Sequence, residues 1–146
     1  MTSHTSQVKA FFKLYADSFN NALRGELDIE ATAKSFSSCF IGANPSGVIC
    51  GHNDAQLRTM LAKGYEFYNS IGVTGMNILT SETMPLDEIH QMTRIRWQCA
   101  FTKKAGPAGT IEFDNIYLTQ RTDSQIRIFA YITGDEQTAL KEHGLI

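Results

Sequence analysis

Residues 88 to 103 read EIHQMTRIRWQCAFTK, and their pattern decides the fold. Ile95, Trp97, Cys99 and Phe101, with Ile89 in phase, fall on one set of alternate positions; His90, Arg94, Arg96 and Gln98 fall on the other. A period of two places successive side chains on opposite faces of a strand, so one face meets a core and the other meets water. Residues 73–83, 110–121 and 125–133 also read as strands, parted by MPLD at 84–87, AGPAG at 105–109 and TDS at 122–124. Connectors this short join antiparallel neighbours.

Upstream the period changes to that of a helix. From Ser6 to Leu23, Val8, Phe11, Phe12, Tyr15, Phe19, Ala22 and Leu23 recur at three- and four-residue steps, and Gly25 ends the run. A second helix is expected from an Asp28 cap, carrying Ile29, Ala33 and Phe36 inward, before Phe40 and Ile41 turn extended. A turn-rich segment at 42–51 holds Val48 and Ile49 as a short strand. Asn53 and Gln56 resemble a capping box opening a third helix through Leu57, Met60, Leu61, Gly64, Tyr68 and Ile71. A last helical turn or two spans 135–143 and stops at Gly144. Helices first and hairpin-linked strands after give an α+β class: three N-terminal helices packed in the concave face of a strongly curved antiparallel sheet. One domain over 1–146 is expected, with residues 1–5 disordered.

Composition narrows the function. Thirteen Lys plus Arg against 15 Asp plus Glu leave a net charge of -2, which gives no drive toward nucleic acid or anionic lipid. No run reaches the roughly 18 apolar residues of a spanning helix, and the opening MTSHTSQVKAFF lacks a signal-peptide pattern, so a cytoplasmic location is expected. Cys39, Cys50 and Cys99 show no CxxC spacing and read as buried small hydrophobes. No His, Cys, Asp and Glu cluster has metal-ligand spacing, and no Gly-rich phosphate loop is present, so neither metal nor cofactor is expected.

Two amphipathic helices, a Gly-Glu-Leu-Asp turn at 25–28, a helix start running from Gly51 to Ala55 and four long strands together resemble the nuclear transport factor 2-like superfamily. Ketosteroid isomerases and SnoaL-like polyketide cyclases belong to it. The resemblance implies a cone around a hydrophobic cavity, and many members pair through the outer sheet face. It also implies that Asp114, in Glu-Phe-Asp-Asn-Ile-Tyr-Leu, matches the strand acid of these enzymes. Asn44 falls where the isomerase carries its base, and an amide cannot accept the substrate proton. Ser18 falls at the isomerase's helix tyrosine, with Tyr15 one turn away. A fold of this kind hosts unrelated activities, so the residues must decide.

Pairing 99 with 114 through a tight Gly106-Pro107 hairpin puts Asp114, Ile116 and Leu118 on the Trp97 side, and the next hairpin adds Ile126, Ile128, Ala130 and Ile132. Two readings of Asp114 then stand together: a desolvated carboxyl with a raised pKa facing a pocket, or a solvated one paired with Lys103 or Lys104. Tyr15, Ser18, Phe40, Asn44, Tyr65, Trp97, Cys99 and Ile132 are the candidate ligand contacts; the aromatics among them serve equally as core. On the same register Phe113, Tyr117, Phe129 and Tyr131 face outward with Arg94 and Arg96, a composition suited to a homodimer interface. The functional expectation is a pocket for a small apolar or carbonyl-bearing molecule. Cofactor-free cyclisation, isomerisation or dehydration at Asp114 is one form of it, and a non-catalytic binding or interaction module is the alternative.

Overall fold

The structure is a computed structural model describing residues 4–146. Its elements run α1 (His4–Leu23), α2 (Ile29–Ala33), β1 (Phe36–Asn44), β2 (Gly47–His52), α3 (Ala55–Ser70), β3 (Val73–Pro85), β4 (His90–Thr102), β5 (Ala108–Thr122), β6 (Gln125–Ile132) and α4 (Glu136–Glu142). Residues 4 and 5 begin α1; residues 1–3 of the segment expected to be disordered lie outside the described residues.

Six strands form one curved sheet in the order β2-β1-β6-β5-β4-β3. Every neighbouring pair is antiparallel except β1 and β6, which run parallel. The expected α+β class is found, and the 42–51 segment proves to be two strands folded at Pro45-Ser46.

α1 buries Val8, Phe12 and Ala16 as its periodicity requires. It is tied to β3 by Asn20, whose Nδ2 donates to Met76 O at 2.9 Å while its Oδ1 accepts from Met76 N at 2.7 Å. One amide thereby satisfies a backbone donor and acceptor beside the β-bulge at the start of β3. Asp28 caps α2 as expected, accepting from Ala31 N. The cap of α3 is Asp54, which accepts from Leu57 N; Asn53 instead donates to Ala33 O and Phe36 O and stitches α2 to β1. Met60, expected inward, is exposed, and Tyr65 is the buried residue of α3.

The register departs from expectation between β4 and β5. Cys99 pairs with Ile111, not residue 114, because the hairpin loop is the five-residue stretch 103–107 instead of a two-residue turn. A three-residue slip is odd, so it exchanges the faces of β5. Ile111, Phe113, Asn115, Tyr117 and Thr119 line the concave side with Trp97 and Cys99; Asp114, Ile116 and Leu118 join Arg94 and Arg96 on the convex side. The tight turn at Asp123-Ser124 is as read, but a bulge follows where Thr119 pairs with Ile128 and Leu118 with Ala130. Ile126 and Ile128 therefore point inward as expected, Tyr131 inward against expectation, and Ala130 and Ile132 outward. Of the cysteines only Cys99 is buried; Cys39 and Cys50 are exposed on the β1–β2 hairpin.

Candidate functional site

A cavity of about 220 Å³ opens between the concave face of β3, β4 and β5, helices α1 and α3, and the start of α4. Its walls are chiefly aromatic: Tyr15 and Phe19 from α1, Tyr68 from α3, Trp97 from β4, and Phe113 and Tyr117 from β5. The period of two delivers the strand residues and the helical period the others. The volume lies just below the roughly 300 Å³ where drug-sized pockets begin.

The polar centre is the Tyr117 hydroxyl. Trp97 Nε1 donates to its oxygen at 3.0 Å and Asn115 Nδ2 donates at 3.2 Å. Two donors aimed at one phenol oxygen leave its own proton to be given to a third partner. Burial pushes the Tyr117 pKa up to about 12, against the opposing pull of those two hydrogen bonds, so it is a neutral donor at neutral pH. Tyr15 stands beside it, ring centres 6.2 Å apart, and burial followed by its tyrosine neighbours raises its pKa well above the ordinary value.

At the other wall, Tyr68 donates a hydrogen bond to Glu136 Oε1. Burial, then the Glu136 charge, hold the Tyr68 phenol far above its usual pKa. Cys99, on the same wall, is pushed up to about 11 by burial and by Glu136, so its thiol stays protonated and is a poor nucleophile. Asp135 also borders the cavity, but its carboxylate is occupied capping α4, accepting from Thr138 N and Oγ1.

Asp114 is not in this site. It lies on the convex face, 3.1 Å from Arg96 Nη1 and 3.4 Å from Arg94 Nη1, and Arg96 also bonds Glu112. Neither Lys103 nor Lys104 is its partner. Among the other candidate contacts, Tyr15, Trp97 and Cys99 line the cavity. Ser18 lies on α1 outside the lining. Phe40 is core, its ring packed over Gly51 and 5.1 Å from that of Phe36. Asn44 ends β1 and accepts from Ser46 N at 2.8 Å, holding the hairpin turn. Tyr65 is buried with its hydroxyl on Thr32 Oγ1 at 3.1 Å, and Ile132 is half exposed on the convex face. Tyr117, Asn115, Tyr68 and Glu136 escaped the sequence reading. The recurrence of Leu57, Met60, Leu61, Gly64, Tyr68 and Ile71 signalled only a helical face for Tyr68, and the β5 residues were assigned to the wrong face by the register.

A curved sheet closed by helices over an aromatic hollow is a cone-shaped α+β fold. The chain belongs to the family described as NTF2-like protein (DUF6841), whose model matches residues 5–136. Comparison with curated proteins finds no match. Among solved structures, it is similar to an NTF-2 like protein of unknown function from Shewanella oneidensis, at 16% identity and TM-score 0.68, covering 91% of this chain and 100% of that one. A ketosteroid isomerase-like protein from Erwinia carotovora atroseptica matches at 17% identity and TM-score 0.65, over 92% and 97% of the chains. The beta subunit of benzoate 1,2-dioxygenase from Burkholderia mallei matches at 11% identity and TM-score 0.68, over 96% and 95%. At these identities the likeness is one of fold. No described helix is long and apolar enough to cross a membrane.

Proposed function

We propose that this protein binds a small, largely apolar molecule carrying a carbonyl or hydroxyl oxygen, which accepts a hydrogen bond from the Tyr117 hydroxyl. The observation that carries the reading is the Tyr117 oxygen accepting from both Trp97 and Asn115, which leaves its proton for a ligand. Aromatic walls with a few convergent polar groups are the usual composition of such sites. Acid–base chemistry next to a carbonyl is a second reading, with the roles moved: Tyr117 is the donor, and Glu136, held by Tyr68, replaces Asp114 as the carboxylate. The neighbours named as an isomerase-like protein and a dioxygenase subunit show how unlike the activities on one fold can be, so neither activity is carried over.

Acetophenone is a suitable probe, followed by chemical-shift changes of the Trp97 indole. Tyr117→Phe is expected to weaken its binding about five- to ten-fold, by the roughly 1 kcal/mol of one neutral hydrogen bond. Shifts absent in the parent protein would reject the pocket and favour a scaffold module. Equal binding by parent and variant would reject Tyr117 as the polar contact.

The homodimer remains a proposal, on a revised surface. Phe113, Tyr117 and Tyr131 are turned inward, and the convex face instead carries Ile116, Leu118 and Ile132 beside the Arg94, Arg96 and Asp114 ion pairs, with Phe129 at the bulge. Sedimentation should give a dimer for the parent chain and a monomer for Ile132→Asp. A dimer mass in both would exclude this face.

A further inference from the structure

The charge of the cavity lining is one-sided. Asp135 and Glu136 border it, and among the described residues no Lys, Arg or His does. The phenols of Tyr15, Tyr68 and Tyr117 and the Cys99 thiol are all held protonated by burial, so they add no charge near neutral pH. The rings do not stack on one another: Tyr15 meets Trp97 at 51° with centres 6.4 Å apart, and Phe19 meets Tyr68 at 54° with centres 5.5 Å apart. Rings inclined in this way turn their faces to several sides, and aromatic faces attract cations through their quadrupole.

We infer that the ligand of the cavity bears, besides the oxygen that meets Tyr117, a positively charged nitrogen, held by the aromatic walls and the Glu136 carboxylate. Glu136 rather than Asp135 is the counter-charge, because both Asp135 oxygens are spent on the two Thr138 groups while Glu136 has one oxygen on Tyr68. Its influence reaches inside the hollow, since the Glu136 charge contributes to the raised pKa of Cys99 on β4 and of Tyr68 on α3. A cation there keeps attraction from both carboxylate and rings, whereas an anionic ligand finds no basic side chain in the lining. The inference rests on the pocket reading above and adds the charge of its ligand.

The test compares 2-amino-1-phenylethanol, an amine charged at neutral pH, with 1-phenylethanol, the neutral alcohol that shares its skeleton and its hydroxyl. Calorimetry at low salt should show the amine about ten-fold tighter, with the difference shrinking as salt rises. Glu136→Gln, which keeps the contact with Tyr68, should weaken the amine about five-fold and leave the alcohol unchanged. An alcohol that binds as tightly as the amine overturns the cationic ligand and leaves the pocket reading standing. An amine insensitive to Glu136→Gln overturns it as well. Failure of both probes to shift the Trp97 indole resonance overturns pocket and inference together.

Discussion

Trp97→Ala is expected to lower the unfolding free energy by about 3–5 kcal/mol, the range for truncating a large buried aromatic. Trp97 is 3% exposed, lies between Ile78 and Phe113 across the sheet, faces Tyr15, and gives its indole proton to Tyr117. Removing it enlarges the cavity and takes away one of the two donors that orient the Tyr117 hydroxyl. Against a total of about 5–15 kcal/mol for a domain, such a loss brings the chain close to unfolding at moderate temperature. Because Trp97 is the single tryptophan, urea unfolding must be followed by circular dichroism, with the midpoint falling and the slope unchanged. Trp97→Phe retains a ring and should lose about 1–2 kcal/mol, from a smaller void and the missing donor. A loss below about 1 kcal/mol in the alanine variant would mean that the indole is not part of the packed wall.

Gly72→Ala should cost roughly 3 kcal/mol, combining a left-handed backbone with a collision. Gly72 joins α3 to β3 at φ +94°, and an added Cβ would lie 2.2 Å from Thr102 O and 3.1 Å from Thr102 C. Both are backbone atoms of β4, fixed because Thr102 N donates to Gly72 O at 2.8 Å, so relief requires moving the strand end. Gly25 separates the two causes. It has φ +90° with nothing within 4 Å of the added atom, so Gly25→Ala bears the dihedral cost alone, about 1 kcal/mol. Thermal unfolding should rank parent, Gly25→Ala and Gly72→Ala in falling order. Equal losses at the two glycines would refute the close approach of β4.

The helices and strands were legible because their periods are local. Val8, Phe11, Phe12, Tyr15 and Phe19 can share a face only on a helix, and Ile95, Trp97 and Cys99 only on a strand, whatever else the chain does. The faces of β5 were not legible, because both of its alternations carry apolar residues: Ile111, Phe113 and Tyr117 on one, Ile116 and Leu118 on the other. Nothing within the strand chooses between them. The choice belongs to the loop, and AGPAG permits either a two-residue turn or the wider 103–107 connection that forms. Asp114 and the Tyr117 site exchanged places with that choice, and the bulge opposite Leu118 and Thr119 then sent Ile128 and Ile132 to opposite faces.

By itself, then, the sequence determined the order of helices and strands, the α+β class, the amphipathic inner face of α1 and the concave placement of Trp97 and Cys99. Tertiary structure alone decided that Asp114 pairs with Arg94 and Arg96 outside, that Tyr117 receives Trp97 and Asn115 inside, and that Glu136 reaches the mouth beside Tyr68. The physical reason is range. A side-chain period is fixed within a few bonds, whereas register and the meeting of α3 with α4 depend on loop closure and on contacts between residues as far apart as 68 positions.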